Sequence, residues 1–533
     1  MAVLVGLFAL MLQVLAFEAY LNIYDEGIIL VGAQRVMQGE LPYRDFWTMY
    51  GPGQFYLAGW LLSAFDSSAL AVRAVGLVAK AAITSLCYLI AVRQAPRSWA
   101  LVAALVVLLL LVAVRNDTFP IFPALAFALA AIWMVDRPGP GRWPVFLAGV
   151  LTGGVALFRH DLGAYSAVGI VMALALRHAG RGAKAGQWMA AVARPVFFYL
   201  VGMALVITPV FGWMLVSVPL ADLHESLIRT PSVVYPEARR LPFPGLAQWP
   251  REWGRIGDVG LFVVYAPFIA AAWGACVEWR RRSMDRGAAA ADGLGHGHGS
   301  IVLPALVITC LLFTLKGLVR VSAVHMVQAL VLSTLVLVVA AQVIVAGRSR
   351  SRLWLAPVLV VVLLLAQPVW VGVRHVVSGA QQFAGREGSL LQLCREPPLP
   401  RLRCVSGDPH YLEAARFLLA HSQPSDRIYV GTQRHDKIFI SGVAFYFIAQ
   451  RLPVTKWHEL HPGIQTRPDV QRAMILEMKE SPPKWVVLDD RWDHIREPNA
   501  SGTPSGVVLL DEYLQAGFRE VERFGSVRLL APR

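Results

Sequence analysis

Charge is the scarce ingredient of this 533-residue chain: 16% of its residues are Asp, Glu, Lys or Arg, against 56% apolar ones. Soluble domains carry roughly a quarter charged residues. With a mean hydropathy of +0.53, the deficit excludes a disordered segment and an ordinary soluble chain. Cysteine is also rare, five in all, which excludes a small disulfide scaffold. The chain lacks GxxxxGK[ST], GxGxxG, HExxH and CxxC in any context that would support a nucleotide, zinc or redox site.

What it has in excess is long apolar runs and arginine. Runs of about 20 apolar residues suit a bilayer, and they predict eleven spans near 2–20, 70–92, 99–114, 119–135, 144–158, 162–176, 195–218, 258–278, 300–316, 324–346 and 353–373. The first has no basic flank and no A-x-A cleavage site, so it reads as a retained helix rather than a signal peptide. The net charge of +14 falls on alternate short loops. These hold Arg93 and Arg97; Arg137 and Arg142; Arg177, Arg181, Lys184 and Arg194; Arg280, Arg281, Arg282 and Arg286; and Arg348, Arg350 and Arg352. Short basic loops face the cytoplasm. The basic excess is therefore topogenic, and nucleic acid is set aside as a partner.

This sorting puts the N-terminus inside. It puts 21–69, 115–118, 159–161, 219–257, 317–323 and everything from 374 outside. Those outer segments hold nearly every clustered acidic, aromatic and histidine residue, so the chemistry belongs there. Residues 1–373 form the membrane module and 374–533 an extracytoplasmic α/β domain. In that domain a helix starts at Asp408-Pro409 and runs to 420. Arg427–Gly431 and Trp485–Leu488 read as short strands, 468–480 and 505–517 as helices, and 518–530 as a hairpin. Cys394 and Cys404 lie ten positions apart in an oxidising compartment and can pair. Cys87, Cys276 and Cys310 sit in spans as small apolar residues. His296 and His298, in a Gly-rich stretch without neighbouring ligands, read as linker rather than metal site.

The first outer loop is the most unusual segment. It opens Asn22-Ile23-Tyr24-Asp25-Glu26-Gly27 where the first span ends, and continues with a helical stretch 27–38. Pro42-Tyr43-Arg44-Asp45-Phe46, Tyr50-Gly51-Pro52-Gly53 and an amphipathic 54–65 follow. Adjacent carboxylates at a membrane boundary are costly unless exposed, paired or used. The structural alternative is a helix start, where Asp and Glu are favoured.

An Asp-Glu pair after the first span, then a helix, Pro-Tyr-x-Asp-Phe and Tyr-Gly-Pro-Gly, resembles the GT-C superfamily of integral-membrane glycosyltransferases. More narrowly, it resembles bacterial members related to protein O-mannosyltransferases and the aminoarabinose transferase of lipid A. Likeness at the residue level is confined to 22–56 and a few later loops. The resemblance implies a polytopic helical fold of GT-C type, with juxtamembrane helices in the first outer loop and a C-terminal outer domain. It implies a polyprenyl-phosphate sugar donor and a glycan, lipid or protein acceptor outside a bacterial inner membrane.

Such a transfer needs a base for the acceptor hydroxyl and positive charge for the leaving phosphate. Asp25 matches the first acid of the family's pair and is assigned as base of a single inverting displacement. Glu26 and Asp45 stand as fallback groups that orient the acceptor or hold a metal, with Tyr43 and Arg44 beside them at the substrate. The pair can hold a divalent cation, as in some members, but no ligand spacing demands one. The phosphate candidates are Arg159 and His160, in Phe158-Arg159-His160-Asp161, and Lys316, Arg320 and His325. Arg320 and His325 match a loop of the relatives in part, whereas Ser322 stands where an Asp is expected. Snorkelling at helix ends is the alternative.

Arg73 and Lys80, in the second span, are functional candidates or paired structural charges. Loop 229–246, with Tyr235, is a gate or a connector. Gln433–Asp436 and Trp457–His461 are solvated loops or acceptor contacts. Two other functions compete: a transporter or flippase of lipid-linked saccharide, which favours polar groups at mid-bilayer, and a non-catalytic cell-envelope assembly protein.

Overall fold

The computed structural model describes residues 1–136, 141–178, 185–245, 260–292, 301–346, 356–384 and 390–533. Arg137, Arg181, Lys184, Arg348, Arg350 and Arg352, and the histidines at 296 and 298, lie outside the described residues.

A helix forms at each apolar run. In chain order these are α1 (Ala2–Leu15), α2 (Asp25–Met37), α3 (Pro52–Ala64), α4 (Ala69–Gln94), α5 (Arg97–Ala113), α6 (Ile121–Val135) and α7 (Arg142–Phe158). They continue as α8 (His160–His178), α9 (Ala185–Ser217), α10 (Leu220–His224) and α11 (Tyr235–Arg239), then α12 (Ala266–Asp292), α13 (Val302–Leu318), α14 (Ala323–Ala346) and α15 (Ala356–Ala384). A π-helical stretch, Glu225–Val234, joins α10 to α11.

Among the described residues, five helical segments are long and apolar enough to cross a membrane: Ala69–Gln94, Trp188–Ser217, Phe262–Met284, Ala323–Ala346 and Ala356–Phe383. Ala2–Leu15, Arg97–Ala113, Ile121–Val135, Arg142–Phe158 and Val302–Leu318 are shorter apolar helices beside them. Leu4 and Phe8 on α1, Phe197 and Leu205 on α9, and Leu359, Leu363 and Trp370 on α15 all face outward. Such a surface suits lipid and would aggregate in water. The chain is a multi-pass membrane protein.

Three boundaries differ from expectation, each for a local reason. α1 stops at Leu15 because the chain turns to bond the C-terminal domain, Leu21 N donating to Ser406 O at 2.9 Å. α9 starts before Pro195, which sits inside the helix rather than at its first turn. α15 runs past residue 373 to Ala384, its late residue Val376 packing beside Ala9 and Ala16, so the expected domain boundary falls within a helix.

The C-terminal domain opens with α16 (Leu390–Arg395) and the Cys394–Cys404 disulfide. It then runs α17 (Pro409–His421), β1 (Arg427–Thr432), α18 (Ala444–Ile448), β2 (Leu452–Pro453), α19 (Pro468–Glu480), β3 (Trp485–Asp489), α20 (Leu509–Gly517), β4 (Phe518–Phe524) and β5 (Val527–Pro532). Asp408 caps α17, its carboxylate accepting from His410 N and Tyr411 N. The sheet order is β2-β1-β3-β5-β4, parallel from β2 to β3 and antiparallel through the terminal hairpin.

One apolar core joins this domain to the first loop. Ile28, Leu30, Phe46 and Phe55 pack in one cluster with Tyr411, Val430, Phe445 and Tyr446. Gly27 makes the approach possible, since a Cβ there would lie 2.3 Å from Ala444 N. The loop is thus clamped between the helical bundle and the sheet domain.

Candidate active site

Asn22 starts the loop's first helix. Its Oδ1 accepts from Tyr24 N at 3.0 Å and Asp25 N at 2.9 Å, and in return Glu26 Oε2 accepts from Asn22 N at 2.8 Å. This reciprocal arrangement works as a capping box. Arg73 of α4 donates to both Glu26 oxygens, at 2.8 and 2.5 Å, and both side chains are buried. Glu26 therefore holds α2 to α4 and does not reach the cavity beside it. Asp25 points the other way.

Asp25 lines a cavity of about 330 Å³. Around it stand Arg159, which ends α7; Lys316, near the end of α13; Arg320, in the turn before α14; and Arg239, which ends α11. His325, His461, Tyr24, Tyr50 and Tyr235 complete the polar wall. Elements more than 200 residues apart in sequence thus converge on one spot, at the end of the bundle that carries the C-terminal domain.

The cations differ in how they are held. Arg159 forms a two-pronged ion pair with Asp161, one contact at 2.9 Å. Arg320 and Arg239 share the carboxylate of Glu497, from the C-terminal domain. Arg320 Nη1 donates to it at 3.0 Å, and Arg239 Nη1 lies 3.1 Å away. Arg239 also donates to Phe439 O at 3.0 Å, and Arg320 to Arg239 O at 3.2 Å. Burial would raise the Glu497 pKa, but the Arg320 hydrogen bond and the Arg239 charge hold it below the usual range. Among the described residues, Lys316 has no carboxylate within 4 Å. It is the cation left to the cavity.

Burial raises the pKa of Asp25, and the charge of Glu26 raises it further, against Arg239, Arg320 and Asn22, which lower it. A carboxylate tuned upward in this way is a better base than a free one. His461 is pushed down to about 3 by burial and by Arg239 and Arg320, so it faces the cavity neutral. Glu459, two residues earlier, is fully buried, and burial pushes it up to about 8 against a Thr48 hydrogen bond that lowers it. Its proton removes what would be a second negative charge near Asp25.

Several residues expected at the site lie elsewhere. Arg44 and Asp45 pair with each other at 2.8 Å, with Arg44 at the surface, and Tyr43 is buried, donating to Tyr50 O at 2.7 Å. None of the three lines the cavity, and neither does His160. The second glycine motif acts through packing. A Cβ on Gly51 would stand 2.3 Å from Leu157 O, so Tyr50-Gly51-Pro52-Gly53 braces the end of α7 just before Arg159. Lys80 is paired with Asp117 at 2.6 Å inside the bundle. His325 Nδ1 meets Ser322 Oγ at 2.7 Å, the hydroxyl taking the place of an expected carboxylate. In the tail, His435 is locked between Asp511 and Tyr429, at 2.7 and 2.6 Å, whereas His461 reaches the cavity.

Sequence reasoning passed over Arg239 and Glu497. Arg239 sits among the prolines and arginines of the 229–246 loop, the one signal present. Nothing near Glu497 marks it.

The donor set argues against a resident metal. Arginine and lysine dominate the cavity wall, Asp161 is occupied by Arg159, and no group of three His, Cys, Asp or Glu converges among the described residues.

The fold, a long bundle with a clamped first loop and a small α/β domain, is shared with solved membrane transferases. Over 99% of its length the chain is similar to ArnT, the aminoarabinose transferase of Cupriavidus metallidurans. The similarity holds for the form bound to undecaprenyl phosphate (TM-score 0.53, 15% identity, 97% of that chain covered) and for the apo form (TM-score 0.54, 13% identity, 97% covered). It is also similar to the oligosaccharyltransferase of Archaeoglobus fulgidus tethered to an acceptor peptide. There the TM-score is 0.50 at 11% identity, over 92% of this chain and 69% of that one. No family model and no curated protein matches the sequence.

Proposed function

We propose that this chain is a membrane glycosyltransferase that moves a sugar from a polyprenyl-phosphate donor to an acceptor hydroxyl at the exoplasmic face of a bacterial inner membrane. The observation that carries this reading is the shared cavity: Asp25 faces Arg159, Arg239, Lys316 and Arg320 across about 330 Å³, in a fold shared with GT-C transferases. The donor phosphate lies against Lys316 and the arginines, where charge-assisted hydrogen bonds are strongest. Asp25 takes the acceptor's proton as its oxygen bonds the anomeric carbon. The bond from that carbon to phosphate breaks, and the polyprenyl phosphate leaves with the electron pair. One carboxylate suffices for such an inverting step. A retaining route would want two facing carboxylates about 5 Å apart, and Glu26 is committed to Arg73.

The alternation of basic loops supports eleven crossings with the N-terminus in the cytoplasm and the C-terminal domain outside. In that orientation the donor enters sideways from the outer leaflet.

The test is transfer of sugar from polyprenyl-phosphate donors by the full chain in proteoliposomes. Asp25→Asn lowers transfer by about 10²–10⁴-fold while the protein folds as before. Wild-type transfer by that variant, or lipid translocation without transfer in the wild type, contradicts the proposal.

A further inference from the structure

α11 has two faces. Tyr235 and Arg239 look into the Asp25 cavity, while Val234, just before the helix, with Glu237 and Ala238 looks into a second cavity of about 460 Å³ against the C-terminal domain. That volume is within the range of small-molecule sites. Its hydroxyls come from Thr466, Ser501, Thr503 and Ser505, and its apolar floor from Val234, Ala238, Ile438 and Pro462.

Three of its five charged side chains are paired with residues just outside it. Arg229 holds Glu225 at 2.7 Å, Arg467 holds Asp469 at 2.5 Å, and Asp436 accepts from Arg434 at 2.8 Å. Lys437 donates to Asp493 O at 2.7 Å. Glu237, at the opening, has no ion pair within 4 Å among the described residues, and it balances Lys437. Counted with those partners the wall is net neutral, and with its hydroxyls and small apolar floor it has little to offer a phosphate or an acyl chain. It matches a neutral ligand with many hydroxyls, whose oxygens bond the rim and whose C–H face covers the floor.

One carboxylate behind both cavities bonds residues of each. The Glu497 carboxylate that holds Arg239 and Arg320 accepts from Asn499 Nδ2 at 3.1 Å and from Ser501 Oγ at 3.4 Å. An occupant bonded to Ser501 therefore lies one side chain away from the group that positions the cations of the first.

We propose that this second cavity binds a neutral saccharide unit of the acceptor other than the one that reacts at Asp25, with α11 between that unit and the donor phosphate. This rests on the transferase reading and names the substrate class it leaves open.

The test is saturation-transfer NMR on the full chain in lipid nanodiscs, since a maltoside detergent would itself present the probed group. Maltose, cellobiose and lactose are compared with glucuronate. Undecaprenyl phosphate binding is measured separately, as the readout of the first cavity. At least one neutral disaccharide is expected to bind, with its signal falling at least fivefold in the Glu237→Gln/Thr503→Val double variant while undecaprenyl phosphate binding is unchanged. Three results overturn the proposal: no disaccharide signal, a signal that survives the double variant, or glucuronate binding as strongly as the neutral sugars. Disaccharide binding that meets expectation in a protein that ignores undecaprenyl phosphate upholds the saccharide site and removes the donor reading instead.

Discussion

Asp25 begins a helix whose N-terminus favours its anion, while burial and the neighbouring charge of Glu26 disfavour it. The second pair of effects wins, so its pKa lies above that of an ordinary aspartate. A base must be unprotonated to act, so activity falls as pH drops through that raised value. The acid limb of kcat/KM is expected above the usual range near 3.9, and Asp25→Asn should lower kcat by about 10²–10⁴-fold. An acid limb at or below the usual value counts against Asp25.

Glu459 gives a stability prediction of definite sign. Its folded pKa of about 8 exceeds the ordinary 4.5, so the contribution is fully present below 4.5, is lost progressively as pH rises, and is gone above 8. Thermal unfolding should show a midpoint that falls between about pH 5 and 8 in the wild type and falls less in Glu459→Gln. Equal slopes would mean that the carboxyl is not buried neutral. At this scale the sequence was readable where chemistry is local. Asp25, Arg159, Lys316, Arg320 and His325 all meet at the cavity. The resemblance alone separates Asp25 from Glu26 in the sequence, whereas in the structure Arg73, 47 positions away, claims Glu26, and Glu497 is invisible without its distant arginines.

At the scale of elements, the apolar runs located the helices well because a bilayer demands length and hydrophobicity from each segment by itself. Their ends were less legible, as at Leu15 and Ala384, because tertiary contacts decide them. Helix 468–480 was readable to the residue, whereas α18 was missed, being five residues wholly buried against the first loop. The Tyr50-Gly51-Pro52-Gly53 turn supplies the prediction here. Gly51→Ala forces a Cβ toward Leu157 O and should cost roughly 1–3 kcal/mol of stability. It should also weaken phosphate binding, since Leu157 leads directly to Arg159. A lowered thermal midpoint with lipid-phosphate affinity unchanged would confine the turn to a structural role.

For the whole molecule, the first loop is the hinge between membrane and domain, with apolar faces on both sides. Ending the chain after Ala384 would uncover Ile28, Leu30, Phe46 and Phe55. The shortened protein is expected to aggregate on extraction rather than behave as a stable bundle, and size-exclusion chromatography in detergent would show which. The central claim is that Lys316 and Arg320 hold a lipid phosphate beside Asp25. It is tested most directly by the affinity of undecaprenyl phosphate for the wild type, for Asp25→Asn and for Lys316→Ala/Arg320→Ala in nanodiscs, with undecaprenol as the uncharged control. The account predicts undiminished binding to Asp25→Asn, loss of roughly 10–100-fold in the double variant, and no preference between proteins for undecaprenol. Equal affinity of the double variant and the wild type for the phosphate would contradict it.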